Sequence, residues 1–409
     1  MQPIGDEAYS GYWINDPTHK TFLARDAQRH LDFFRKSLRS DGGFDVLDNT
    51  GAVIEGSTQD LHWVTRMIHS FALAKSWGAS ECDQVIDQGI HFLWSHMRDE
   101  TYGGYFTSVH NGQIIDDTKL AYGHVFVLLA ASSAKMAGHP DADRVLNDIT
   151  DVLDERYWDD RYGLFNDETA RDWSPISDYR GYNSNMHGIE ALLAAYEATK
   201  NVTFLERAGR IVEFFVHKIA PAHNYALPEH YRPDWTPDLE YQGNPMFRPR
   251  GTTPGHSFEL ARLAIQWWDL AGRPKDKTVA HARNLINAAL RDGWNAQGGF
   301  AYTLKYDGGV LMPDRYWWPV TEAIGAIATL IKLDPTPEDE IWYRRIWRTA
   351  NDFFIDHQNG GWFHEIDASG RPCEKQFFGR PDIYHSLQAD LFPLSSAISN
   401  IFASFSSKS

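Results

Sequence analysis

Asp41-Gly42-Gly43-Phe44, Tyr102-Gly103-Gly104-Tyr105-Phe106, Tyr162-Gly163-Leu164-Phe165, Gln297-Gly298-Gly299-Phe300 and Asn359-Gly360-Gly361-Trp362-Phe363 repeat one short signature along the chain. Neighbouring copies stand about sixty residues apart, the spacing of a helical-pair repeat. One gap remains, and a degenerate copy at Asn224-Tyr225 would fill it. Before each copy the sequence reads as an amphipathic helix, at 21–38, 82–97, 142–157, 203–219, 278–290 and 338–354. After each comes a short polar hairpin and then a more uniformly apolar helix, at 60–77, 119–137, 185–199, 254–271, 318–331 and 383–402. A partly polar helix, a glycine turn and an apolar helix, repeated six times, predict an all-α (α/α)6 barrel. Six inner helices would form a ring and six outer helices would shield it, with short β-hairpins gathered at one rim. Residues 334–338 read as a helix-to-helix turn, so a single catalytic domain over 1–409 is expected. The loop 222–253, rich in Pro, Tyr and Trp, is expected to cover the pocket at that rim.

The apolar helix that opens at Thr253-Pro254-Gly255-His256-Ser257-Phe258-Glu259 locates the chemistry. Pro254 suits a first helical turn, where its missing N–H costs nothing. His256 and Glu259 follow, three apart and on one face of a helix that is otherwise apolar almost all round. Asn185-Met186-His187-Gly188-Ile189-Glu190 and Asp382-Ile383-Tyr384-His385-Ser386-Leu387-Gln388 repeat the arrangement, a His near the first turn with an acid or amide three residues on. Three such helices would bring three imidazoles to one pocket. The remaining inner helices add His62, Arg66 and His69, then Tyr122 and His124, then Asn183 and Asn185, and finally Trp317-Trp318-Pro319 with Glu322. An Arg inside an apolar run must be paired or functional, which makes Arg66 a candidate cationic anchor.

Composition narrows the reaction. The 409 residues carry a formal charge of −16, which argues against nucleic acid or an anionic membrane surface as partner. Aromatic residues make up 14% of the chain, suited to a pocket that stacks on a sugar. Two cysteines form neither a disulfide framework nor a metal-type spacing. The first residues lack a basic and apolar leader pattern and no apolar run spans a bilayer, so a cytoplasmic protein, monomeric or homo-oligomeric, is expected. No phosphate-binding glycine loop and no nucleophile elbow is present. His and Glu could ligate a metal, although no His-Glu-x-x-His pattern occurs. Glu259, Glu322 and Asp382 could serve an inverting glycosidase, but that leaves the three imidazoles without a role. Paired imidazoles in a sugar-sized pocket best fit proton transfer beside a carbonyl, through a 1,2-enediol of an open-chain aldose.

Thr253–Glu259 with Asn183-Ser184-Asn185-Met186-His187, Arg66-Met67-Ile68-His69, Trp318-Pro319 with Glu322, and Asp382-Ile383-Tyr384-His385 resembles the N-acylglucosamine 2-epimerase superfamily over nearly the whole chain. Within it the motifs are most similar to the aldose–ketose isomerase branch that holds mannose and sulfoquinovose isomerases. That resemblance implies an (α/α)6 barrel that needs no metal or other cofactor and acts on a monosaccharide, interconverting mannose and fructose with lyxose as a further substrate. It implies His385 as the base moving a proton between C2 and C1. It gives His256 ring opening and a second acid–base role, with Glu259 orienting it. His187 and Arg66 complete the catalytic set, and Tyr122, Asn183, Trp318, Glu322 and Asp382 match sugar-binding positions. His364, in Trp362-Phe363-His364-Glu365, stands where sulfoquinovose enzymes carry a sulfonate-binding Gln, and Met246 stands where they carry an Arg. Both departures favour a neutral hexose. Sulfoquinovose isomerisation and sugar 2-epimerisation are the alternatives within the family, and an (α/α)6 glycoside hydrolase is the alternative outside it.

Overall fold

A computed structural model describes residues 3–406; positions 1, 2 and 407–409 of the expected 1–409 unit lie outside the described residues. The helices in chain order are α1 (Pro17–Phe34), α2 (Leu61–Trp77), α3 (Asp83–Phe92), α4 (Ala121–Met136), α5 (Ala142–Val152), α6 (Tyr182–Thr199) and α7 (Val202–Val212). There follow the single turn α8 (Ala220–Ala222), then α9 (Pro254–Leu270), α10 (Thr278–Gly293), α11 (Trp317–Leu333), α12 (Pro337–Thr349), α13 (Tyr384–Leu394) and α14 (Ile401–Ser406). Helices α2, α4, α6, α9, α11 and α13 pack in that order, and α13 returns to α2, closing an inner ring. Outside it, α3, α5, α7, α10 and α12 each cover the inner helix before them, and α1 covers α13. The expected (α/α)6 barrel is the observed architecture. Among the described residues, no helix is long and apolar enough to cross a membrane.

Burial follows the two sequence patterns. In α11 every residue from Trp317 to Ile331 is buried, because this helix meets its ring neighbours on both sides and α12 behind. In α7 only Phe204, Ala208, Ile211 and Val212 are buried, a stripe at helical spacing turned towards α6. Each large apolar side chain so buried contributes about 1.5–3 kcal/mol. Thr336 and Asp339 form a reciprocal capping box that starts α12, of a kind worth about 1 kcal/mol. Four outer helices, α3, α5, α7 and α12, end in a π-helical turn before the chain reverses.

The glycine signature then makes that reversal. Gly298 and Gly299 take φ of 91° and 84°, Gly360 and Gly361 95° and 70°, and Gly103 and Gly104 76° and 71°. Two successive left-handed residues explain why Gly recurs there. The degenerate copy obeys the same geometry: Asn224 and Tyr225 take φ of 51° and 66°. A side chain in that conformation costs roughly 1–2 kcal/mol, offset here by hydrogen bonds at Tyr225 Oη, which accepts from Asn284 Nδ2 (2.8 Å) and lies 3.0 Å from His281 Nδ1.

A two-residue strand leads directly into each of four inner helices, α2, α4, α6 and α11. Lys119–Leu120 pairs with Glu168–Thr169, Arg180–Gly181 with His230–Tyr231, and Arg315–Tyr316 with Glu365–Ile366. These ladders set the inner-helix N-termini at one rim, as expected. Two residues read as pocket candidates instead hold the scaffold. His124 Nε2 accepts from the Tyr105 amide (3.0 Å), and Asn185 Oδ1 accepts from the Phe165 amide (2.8 Å). The last inner helix is shorter than the expected 383–402: Pro393 lies at the end of α13, and the chain restarts helix only at Ile401.

Candidate active site

His385, in the first turn of α13, donates through Nδ1 to Glu322 Oε1 on α11 at 2.8 Å. Glu322 Oε2 in turn accepts from Arg262 on α9 at 3.2 Å. All three are buried. Burial opposes ionisation of Glu322, but the Arg262 charge and His385 hold its pKa below the usual value. A carboxylate at Nδ1 makes Nδ1 the protonated nitrogen and leaves Nε2 as the acceptor. Burial also pushes the His385 pKa below 6.5, against the pull of Glu322, so the ring is a free base at neutral pH.

A second imidazole is held the same way from a different direction. His256, in the first turn of α9, has Nδ1 2.9 and 3.1 Å from the two carboxylate oxygens of Glu229. Glu229 comes from the long loop 222–253, just before the strand His230–Tyr231, and its carbonyl accepts the Tyr182 amide at 3.0 Å. The loop therefore contributes to the site rather than merely lying over it. Trp318 links the two imidazoles, its ring 5.1 Å from His256 and 5.9 Å from His385, tilted 36° to each. Any Cβ at position 255 would overlap that indole, which is why Gly precedes His256. Among the described residues, neither His256 Nε2 nor His385 Nε2 has a hydrogen-bond partner. The His256 side chain, 13% exposed against 6% for His385, is the more accessible of the pair.

Glu259 is not the partner of His256. Its carboxylate is 3.5 Å from His187 Nδ1 and 3.8 Å from Arg262, deeper in the ring. The side chains share a helix face, but His256 leans to the rim, where Glu229 meets it, while Glu259 is 1% exposed. Burial and the neighbouring Glu322 charge push the Glu259 pKa well above its ordinary value. Burial likewise opposes ionisation of Glu190, but His187, Arg262 and His69 outweigh it and hold that carboxylate low. His187, pushed down to about 4 by burial, lies between the two acids with its ring 5.4 Å from Tyr122. His187, Glu190 and Glu259 each bring one ligand atom to within 4.8 Å of the others, a donor set able to hold a cation.

Arg66, the Arg in an apolar run, is paired. Its guanidinium donates to Tyr122 Oη (2.9 Å) and Asp382 Oδ2 (3.4 Å) and lies over the Phe126 and Tyr384 rings, 4.6 and 4.8 Å from their centroids. Tyr384 donates to Glu190, and Gln388 reaches Glu190 at 3.3 Å and His69 at 3.2 Å, a polar layer beneath the imidazoles. Asn183, in the first turn of α6, is half-buried, and its Oδ1 has no hydrogen-bond partner among the described residues. His364 stacks flat on Trp317, ring centroids 3.7 Å apart and 7° from parallel, with Nδ1 without a partner. Burial keeps His364 neutral, its pKa well below 6.5. Trp317 also meets His385 edge-on at 6.1 Å, which ties His364 to the same pocket.

The arrangement is a pair of imidazoles, each held by its own carboxylate and both against one indole, with a guanidinium nearby. Similarity to known proteins points the same way. The model of the N-acylglucosamine 2-epimerase (GlcNAc 2-epimerase) family matches residues 42–389. A D-mannose isomerase of Pseudomonas cannabina pv. alisalensis is 38% identical over 93% of this chain and 94% of its own. One from Thermobifida fusca is 37% identical over 93% and 96%. A crystal structure of a D-mannose isomerase superposes with a TM-score of 0.87 at 30% identity, over 92% of this chain and 97% of that one. With the barrel, the rim imidazoles and a family match spanning most of the sequence in agreement, the chain belongs to the N-acylglucosamine 2-epimerase family.

Proposed function

We propose that this chain, acting as one catalytic domain, is a D-mannose isomerase that interconverts D-mannose and D-fructose and also accepts D-lyxose. The observation that carries the reading is the pair His256 and His385, each tied at Nδ1 to its own glutamate and meeting across Trp318. The relatives named above support the same substrate.

His256, the more accessible imidazole, opens the pyranose by moving the O1 proton to the ring oxygen. His385 Nε2 then takes the C2 proton of the linear aldose, and the electron pair passes through the C1–C2 bond to O1, giving a cis-enediolate. Arg66, backed by Asp382 and Tyr122, is the fixed positive charge beside the developing oxyanion. His385 returns its proton to C1 while the O2 proton moves to O1. Hydrogen leaves C2 and O2 and arrives at C1 and O1, so the step balances without an external oxidant. Return to the opposite face of C2 would instead give epimerisation. Trp318, Asn183 and the Trp317–His364 stack position the sugar, and an uncharged imidazole at 364 suits a neutral 6-hydroxyl better than a sulfonate. Such a chain would work as a cytoplasmic enzyme of sugar metabolism.

Mannose incubated with the chain in deuterium oxide, with chelator present, tests this by NMR. Fructose labelled at C1 supports the isomerase. Glucose labelled at C2 in place of fructose, turnover of sulfoquinovose but not mannose, or release of a sugar from a glycoside would each replace it with the corresponding alternative.

A further inference from the structure

A second group of ligand-type side chains lies outside the candidate active site. Asp26 and His30 stand one turn apart on α1, and Asp390 faces them from α13. His30 Nε2 is 3.4 Å from Asp26 Oδ2 and 3.4 Å from Asp390 Oδ2, and none of the three side chains is more than 3% exposed. Neither ring nitrogen of His30 and neither carboxylate oxygen of Asp390 has a hydrogen-bond partner among the described residues. Burying a carboxylate without a donor is strongly unfavourable. One imidazole N–H cannot serve two carboxylates, and 3.4 Å is long for either.

The spacing suits another occupant. Bonds of about 2.0–2.1 Å to a tetrahedral ion put adjacent ligand atoms about 3.3–3.4 Å apart, which matches both nitrogen–oxygen separations. We propose that Asp26, His30 and Asp390 are a binding site for one divalent cation of the zinc type, seated between α1 and α13. Bound as carboxylates, Asp26 and Asp390 would balance the charge of such an ion, and a nitrogen and carboxylate donor set is one zinc accepts. The second Asp390 oxygen is available as a further ligand. Trp362 Nε1 donates to Asp26 Oδ2 at 3.0 Å, the outer hydrogen bond that orients a ligating carboxylate. There is also a way in: a cleft of about 510 Å³ on the outer side of α1, lined by Thr18, Phe22, Arg25 and Arg29, reaches Asp26. The ion would fasten the first outer helix to the last inner one, five residues from His385 on the same helix.

The chain stripped with chelator and titrated with ZnCl2 by calorimetry tests the site. One equivalent should bind, with a melting temperature that rises with zinc concentration. Binding should persist in Glu259→Gln, which disables the donor set at His187, and should vanish in Asp390→Asn and His30→Gln. Trp362→Phe should weaken it about ten- to a hundred-fold. If the ligand variants do not fold, anomalous scattering from zinc-soaked wild-type crystals decides by a peak between Asp26, His30 and Asp390. No such peak, no zinc binding, or binding that survives Asp390→Asn and disappears in Glu259→Gln overturns the proposal.

Discussion

Replacing Glu322 with Gln keeps the side chain's shape and removes its charge, so it isolates what the carboxylate does for His385. The Nδ1–Oε1 distance is 2.8 Å, and the side chains are 6% and 2% exposed, so solvent screens the interaction little. A hydrogen bond to a charged group in such surroundings is worth about 1.5–3 kcal/mol. At about 1.4 kcal/mol per factor of ten, kcat/KM for mannose should fall roughly ten- to a hundred-fold. The lower end applies if the Gln oxygen still faces Nδ1, the upper end if it turns to Arg262, whose other carboxylate partner, Glu259, is 3.8 Å away. The pH profile gives a second, independent readout. Burial pushes the His385 pKa down and Glu322 pushes it up. Removing that charge therefore lowers it further, and the acidic limb of kcat/KM should move to lower pH even as the maximum drops. Rates are read as fructose formed from mannose by NMR across pH, with a melting curve to exclude unfolding. A kcat/KM within about threefold of wild type, or a limb that stays in place, would refute the reasoning.

Glu229→Gln should lower kcat/KM for cyclic mannose by a similar ten- to a hundred-fold, because His256 loses its charged partner; equal rates in mutant and wild type would remove Glu229 from the machinery. Wild-type kcat/KM should hold below pH 6.5, since buried His385 stays neutral there; a midpoint at or above 6.5 in the pH–rate curve would contradict this. Stability should decline as pH falls from 6.5 towards 4, because His19, His69, His124 and His187 have folded values near 4 while the unfolded chain takes up protons near 6.5. A melting temperature constant over that window would be the opposite result. Gly255→Ala drives a methyl into the Trp318 indole, so it should cost about 1–3 kcal/mol of stability and reduce turnover through both imidazoles; wild-type activity would show that Trp318 is free to move.

The barrel was legible because its turns demand left-handed residues, two in succession at 103–104, 298–299 and 360–361, and glycine marks that demand in the sequence. Even the weak copy at Asn224-Tyr225 proved to hold the same backbone. His256, His187 and His385 were legible because a polar group in the first turn of an apolar helix stands out. Glu229 was not: it sits in a loop without periodicity and meets His256 only through the pairing of His230–Tyr231 with Arg180–Gly181. Arg262 was missed for a different reason. The argument applied to Arg66, that a charge in an apolar run must be paired or functional, applies equally to it. The pairing of Glu259 with His256, which the resemblance implied, failed because residues that share a helix face need not reach the same depth. The break after Pro393 was written in the proline itself.

The last inner helix, α13, closes the ring against α2, is covered by α1, and supplies His385. During synthesis α1 therefore emerges without the helix it chiefly packs on until α13 has been made. The proposed proton shuttle is among the last pieces delivered, so a half-translated chain would own the sugar anchor Arg66 yet remain inert. Catalytic competence and completion of the circle would arrive together, as one event.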